Sequence, residues 1–277
     1  MSKKLNNKIC TLCGYQKLIK VETIKSRPAS EADFGIMPED YRRNIYKCSN
    51  CTVYNNVHSF DLDGLYSAKY NESVYSNDLL PNFNYVMDLP VNQSDNKNRV
   101  SRILSYLNSN PFNHQFPKIL DVGSGLCVFL AEMIKNMRLE SYCLDPSLLS
   151  VKHAMDNAGV DFPIQGSFMD FNTDVKFDLI TFNKVLEHVQ NPVEMLSKAK
   201  NMLNNNGLIY IELPDGDAAS TKGGYINREE FFIDHFAIYT NKSIKYLVNS
   251  AGLQPKIVEH IHEPSDKYTI FSFLIKE

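Results

Sequence analysis

The chain has 277 residues, a formal charge of −3 and a pI near 6.2, with 43% hydrophobic and 22% charged residues. That suffices for one sizeable core plus a small module, and it argues against a disordered chain or one built on a basic nucleic-acid footprint. No run of about 18 apolar residues occurs, and MSKKLNNKIC carries no apolar stretch after its lysines, so the sequence predicts a cytoplasmic protein that binds neither nucleic acid nor membrane.

Residues 1–59 hold two C-x-x-C pairs, Cys10 with Cys13 and Cys48 with Cys51. This spacing lets both thiolates of a pair face one tetrahedral Zn²⁺. Gly14 suits the turn after the first pair, and an insertion over residues 26–40 accounts for the 34 residues between the pairs, more than a zinc ribbon normally has. A redox C-x-x-C would open a helix after a strand, whereas each pair here lies in polar, turn-like sequence. Four cysteines close the coordination shell, so the expected metal is structural and the expected module is zinc-ribbon-like. The other two cysteines, Cys127 and Cys143, fall inside predicted core elements, and no disulfides are expected.

Residues 60–94 are rich in Tyr, Asn, Asp and Ser, with Tyr66, Tyr70, Tyr75, Phe83 and Tyr85 among few aliphatics. They read as a linker whose tyrosines either pack on the main domain or line a pocket. Residues 95–108 then predict a helix with Val100, Ile103, Leu104 and Leu107 on one side, stopped at Pro111.

Residues 118–133, KILDVGSGLCVFLAEM, give a buried strand, a glycine turn and a helix in immediate succession. Gly123 and Gly125 permit φ > 0 and close backbone approach, and Leu126, Phe129, Leu130, Met133 and Met137 recur at helical spacing. A dinucleotide fingerprint would need a glycine where Val128 stands. The plainer reading of the turn is a tight βα connection with Asp121 as a helix cap. Further βα units follow: a strand at 141–144, a helix opened at Ser147 and closed at Gly159, and strands at 160–165, 177–182 and 208–213. The helix between the last two opens at Asn191-Pro192 and stops at Gly207. A capped helix from Thr240 and two closing strands at 256–261 and 268–275 complete the domain, residues 95–277. Residues 214–239 look too polar and glycine-rich for core and are expected to form a loop over a site.

The order D-x-G-x-G at Asp121, Gly123 and Gly125, then a second acid, Asp145 in SYCLDPS, resembles the cofactor motif of the class I S-adenosylmethionine-dependent methyltransferases. The later FDLI and LEHV.NP segments resemble the same family. The resemblance implies a Rossmann-like, mostly parallel sheet of seven strands with an antiparallel last strand. It also implies roles. Gly123 and Gly125 let the cofactor's methionine part approach the backbone, Asp121 and Asn183 lie at the methionyl end, and Asp145 takes the ribose hydroxyls. Ser167 and Phe168 fall at the adenine end, with Asp170 a lesser candidate. Glu187 and His188 are a pair that many members carry structurally.

Residues 231–240 are similar to a stretch in nucleotide-sugar C-methyltransferases, which also carry an N-terminal cysteine-rich zinc module. There His235 falls on the catalytic base, Asp234 on the neighbouring carboxylate, and Phe232 on the tyrosine. Another role for His235 is to anchor the loop. The expected activity is methyl transfer to a small polar acceptor, a sugar or sugar nucleotide of surface-glycan biosynthesis, with Lys69, Lys222 and Arg228 as available cations. A reading from another class is a non-catalytic, cofactor-binding scaffold whose zinc module recruits a partner.

Overall fold

The computed structural model describes residues 9–60, 79–113 and 115–277. Its centre is β4 (Lys118–Val122), flanked in parallel by β5 (Glu140–Asp145) and β7 (Phe177–Asn183). β6 (Phe162–Gln165) extends one side, and β8 (Leu203–Pro214) the other. β10 (Leu253–His262) and β11 (Tyr268–Lys276) close the sheet antiparallel, giving the order β10-β11-β8-β7-β4-β5-β6. This is the Rossmann-like seven-stranded architecture expected.

The central strands are apolar almost throughout because both faces are covered. Successive side chains point to opposite sides, so Ile119, Leu179, Leu208 and Tyr210 enter one core while Leu120, Ile180, Ile209 and Ile211 enter the other. The first core is covered by α1 (Leu79–Asp88), α2 (Asp95–Ser109), α3 (Val128–Asn136) and α4 (Leu148–Asp156). α2 places Val100, Ile103 and Leu107 inward, with Ser94 capping it through the Lys97 amide at 3.1 Å. The second core is covered by α5 (Pro192–Met202) and α7 (Asn241–Ser250), the latter opened by a capping box between Thr240 and Ser243. Cys127 and Cys143 are fully buried, as anticipated.

β8 begins at Leu203, so residues 204–207 belong to a strand rather than to a helix stop. Leu203 pairs with Phe177 across a break in the register, and Asn204 donates to Asp178 at 2.7 Å, which satisfies polar groups that the sequence alone suggests are loop.

A second, antiparallel sheet is made by β1 (Leu18–Ile24), β2 (Arg43–Cys48) and β3 (Tyr54–Val57). Its fourth strand is β9 (Ala237–Ile238), from the far end of the 214–239 segment. That segment is not an open polar loop: it forms α6 (Gly216–Gly223), and Ala219, Phe231, Ile233 and Ile238 are buried with Ile24, Phe34, Tyr41, Ile45 and Tyr54 in a third core. The segment misled because its apolar residues find their partners among the N-terminal residues, while its polar ones pair with Lys47 and Tyr54 and with His260, Asp266 and Lys267. The cysteine pairs also share core with the main domain, where Cys10, Cys48 and Cys51 cluster with Tyr239, Ile244 and Leu247. No helix of the described residues is long and apolar enough to cross a membrane.

Candidate cofactor crevice and acceptor face

The strand order turns back at β4, with β5 on one side and β7 on the other, so a crevice opens beyond their C-terminal ends, where open α/β sheets hold ligands. Asp121, Asp145 and Asn183 sit on those three ends. Gly123 has φ +68°, and a Cβ there would stand 2.9 Å from Val185 Cγ2, so only glycine fits. The Gly123 amide donates to the Leu144 carbonyl at 2.8 Å, and the Gly125 amide to Asp145 Oδ2 at 2.9 Å. Asp145 Oδ1 accepts from the Ser147 amide, also at 2.9 Å. Burial raises the Asp145 carboxyl above the ordinary carboxylate range, against these two amides.

Asp121 is buried at the floor. Burial pushes it up to about 7, opposed chiefly by the Thr181 hydroxyl bond to Oδ1 at 2.6 Å. Asn183 also donates to that oxygen, at 2.8 Å, and its own Oδ1 is a buried acceptor with no partner among the described residues. A half-protonated acid beside an unsatisfied acceptor suits a cationic, donor-bearing ligand group. The residues present therefore fit the amino-acid end of S-adenosylmethionine, with Asp145 able to take ribose hydroxyls on its remaining lone pairs.

At the far end of the crevice the turn after β6 places Ser167 and Phe168 differently. Ser167 Oγ accepts from the Met169 amide at 3.3 Å, but Phe168 is packed edge-on against Phe182 in the core, 3% exposed. The apolar side chain this turn presents to solvent is Met169. Phe168 falls at the adenine end by the family resemblance, with core packing as the alternative, and its burial is that of a large aromatic side chain in the core.

Beneath the crevice lies a network that the sequence reading missed. Glu212 of β8 is fully buried and is gripped by Arg99 at 2.8 and 2.5 Å, by Arg102 at 2.7 Å and by the Tyr210 hydroxyl at 2.6 Å. Burial opposes its charge, yet the two guanidiniums outweigh burial and hold Glu212 down at about 2. The only sequence signal was an acid inside an apolar strand.

The acceptor face adjoins the methionyl end through residues 183–188. Val185 lies over Gly123, and Leu186–His188 form a short 3-10 turn. Glu187 is 1% exposed, with both carboxylate oxygens unbonded among the described residues, and burial raises it. The His188 and His235 rings meet edge-on, their centroids 4.7 Å apart. Ligand-capable atoms of Glu187, His188 and His235 all lie within 4.8 Å of one another, a set able to hold a cation or a group rich in donors. His188 Nδ1 contacts the Asp234 carbonyl at 3.0 Å and lies 3.6 Å from Asp234 Oδ2, and burial lowers its basicity. His235 Nδ1 is 2.8 Å from the Glu230 carbonyl, which can only accept. Nδ1 therefore donates in this contact, and in the neutral ring Nε2 carries the lone pair.

The structure thus brings His235 and Asp234 against Glu187 and His188, which lie in the turn that follows β7. It does not leave Arg228 available: its guanidinium pairs with Glu230 and with Asp266, both at 2.8 Å, and tethers the segment to the β10–β11 turn. Lys69, Tyr66, Tyr70 and Tyr75 lie outside the described residues.

The four N-terminal cysteines converge as anticipated. Cys10 and Cys51 sulfurs are 3.5 Å apart, Cys13 and Cys48 sulfurs 3.6 Å, and all four lie within 4.8 Å of one another. Four sulfurs at about 2.3 Å from one tetrahedral Zn²⁺ would stand about 3.8 Å apart, so this donor set fits that ion.

Sheet order, glycine turn and acid positions define the class I S-adenosylmethionine-dependent methyltransferase fold. The chain belongs to the methyltransferase domain family, whose model matches residues 92–259. It is 31% identical over 120 residues to a ubiquinone biosynthesis O-methyltransferase of Glaesserella parasuis serovar 5 (strain SH0165), a match covering 39% of this chain and half of that protein. An S-adenosylmethionine-dependent methyltransferase from Clostridium acetobutylicum ATCC 824 shares the fold at TM-score 0.54 and 14% identity, over 72% of this chain and 99% of that one. The magnesium protoporphyrin IX methyltransferase of Synechocystis PCC 6803, whose crystal structure holds SAH, does so at TM-score 0.53 and 13% identity, over 73% and 97%.

Proposed function

We propose that this chain transfers the methyl group of S-adenosylmethionine to a hydroxyl of a small polar acceptor, with His235 as the base. The observation that carries this is the contact of His235 Nδ1 with the Glu230 carbonyl: it places a proton on Nδ1 and, in the neutral ring, leaves Nε2 to accept one beside Glu187 and His188. When bound, the cofactor supplies an electrophilic methyl on a sulfonium. Asp121 and Asn183 hold the amino-acid end, Asp145 the ribose, and Ser167 and Met169 border the adenine. His235 Nε2 removes the acceptor's proton as its oxygen attacks, and Asp234, through its contact with His188, helps order the ring that packs on His235.

An oxygen acceptor is favoured by the O-methyltransferase relative. A sugar is the first acceptor class to try. A sugar nucleotide is the weaker choice, because Arg228, offered to its phosphates by the sequence, is committed to Glu230 and Asp266. The cysteine site is read as one structural Zn²⁺ that shapes the wall of the acceptor face.

The test is methyl-labelled cofactor against a panel of free sugars, sugar nucleotides and phenols, with product fragmentation to place the methyl. His235→Ala should lower turnover about 10²–10⁴-fold with cofactor affinity within a factor of about two, the range for a lost general base. Turnover within about threefold of wild type would leave His235 as a loop anchor.

A further inference from the structure

Residues 231–236 carry the proposed base, and their backbone is held mainly by groups distant in sequence. Arg43 and Glu31 form an ion pair at 3.0 Å with both side chains almost wholly buried. Arg43 Nη1 donates to the Phe231 carbonyl, and Glu31 Oε2 accepts from the Ile233 amide at 2.8 Å. The pair therefore grips the chain on both sides of Phe232. Asn56 Nδ2 donates to the Phe232 carbonyl at 2.8 Å, and the Asn56 amide to the Phe236 carbonyl at 3.1 Å. The His58 ring contacts the Ile233 carbonyl at 3.2 Å, and the Phe236 amide donates to the Glu187 carbonyl at 2.8 Å. Tyr41 completes the bracket, its hydroxyl donating to Glu31 and accepting from Arg43 Nε at 2.9 Å.

A buried ion pair is seldom kept for stability, since apolar residues of similar volume serve as well. This one spends its donors and acceptors on the backbone that presents Asp234 and His235. We propose that Glu31 and Arg43 are positioning residues of the acceptor site: through the backbone of Phe231 and Ile233 they fix the orientation of His235 against Glu187 and His188. The proposal rests on the reading of His235 as the base, and it places control of that base in the N-terminal residues rather than in the methyltransferase sheet.

The test uses the full chain and the double variant Glu31→Leu/Arg43→Met, which replaces the pair with apolar groups and should fold. Hydrogen exchange at Ile233, His235 and Phe236 should accelerate at least about tenfold, while Leu120 and Leu144 amides in the central sheet change less than about threefold. Nitrogen-15 spectra of the histidine rings, assigned with His235→Gln, should show a single Nδ1-protonated form for His235 in the parent and a mixture in the double variant. The single variant Arg43→Lys, which keeps the charge pair, should fall between the two. Unchanged exchange and an unchanged His235 tautomer would overturn the proposal. So would equal acceleration throughout the protein, because the pair would then serve only overall stability. His235→Gln separates the two ideas: full turnover in it removes the base, while the exchange and tautomer results still decide what the pair holds.

Discussion

The two walls of the crevice are built by opposite strategies. The cofactor side is the more local: Asp121, Gly123, Gly125 and Asp145 lie within one βαβ unit, Gly125 bonds Asp145 across 20 residues, and Asp121 reaches Thr181 and Asn183 across 60 and 62. The acceptor side is remote: Glu31 with Ile233, Asn56 with Phe232 and Arg43 with Phe231 are separations of 202, 176 and 188. A wall made of neighbours is fixed as soon as its strands pair, whereas a wall made of distant loops is only as firm as the element furthest away in the chain.

The most severe way to break that contrast is to take the metal from the far element. Purified without chelator, the protein should hold about one Zn²⁺ per chain. Stripping it should expose residues 9–60 to protease and raise exchange at Ile233 and Phe236, with β4, β5 and β7 retained, because a module this small has little core of its own. Less than about half an equivalent of metal in protein never exposed to chelator would remove the zinc reading.

A second perturbation attacks the network beneath the crevice. Glu212→Ala leaves Arg99 and Arg102 without their buried partner and should cost about 3–5 kcal/mol, seen as a lower urea midpoint. Glu212 titrates lower in the folded chain than in the unfolded one. Its stabilising contribution is therefore present above the ordinary glutamate range and is lost as pH falls toward about 2. An acid transition unchanged in Glu212→Gln would contradict this.

Sharper resolution comes from the cofactor side alone. Asp145→Ala should weaken cofactor binding by about 1.5–3 kcal/mol, the range for hydrogen bonds to a charged group, with exchange at Ile233 unaltered. Calorimetry with S-adenosylhomocysteine measures the first quantity, and equal affinity in the folded variant would remove Asp145 from the site.

The smallest expected effect is a proton. Asp121, held near 7 in the free protein, is charged more fully when a cationic group lies beside it, so binding should release protons near neutrality. Affinity should decline as pH drops below about 7, by at most tenfold per unit for one group. Calorimetry in buffers of different ionisation heat would reveal the release, and a flat profile between about pH 5.5 and 8 would place the ligand's cation away from Asp121.

What could be read from the sequence follows the same division. Asp121, Gly123, Gly125 and Asp145 stood out because turn glycines and strand-end acids form a short-range motif that resembles the methyltransferase family's; periodicity marked the individual βα units, and the seven-stranded sheet was what that resemblance implied. The four cysteines were legible because their spacing alone specifies a shared centre. Glu31 and Arg43 were not, since one lies in a stretch read as an insertion and the other in an unremarkable strand, and only the fold brings them together. The 214–239 segment was read as a loop too polar for core because burying Phe231 and Ile233 requires Ile24, Phe34 and Ile45 from the opposite end of the chain. For Phe168 the sequence left both an adenine contact and core packing open, and the side chain lies in the core against Phe182.

The pairing of β3 with β9 carries a consequence for synthesis. Tyr54 leaves the ribosome about 180 residues ahead of its partner Ile238. Until that partner arrives, β3 is a bare edge with apolar neighbours, the arrangement most prone to pair with another nascent chain. Slow translation or a shortage of holdase chaperones should therefore harm this protein through the unpaired β3 edge, which stays bare until residue 237 is made.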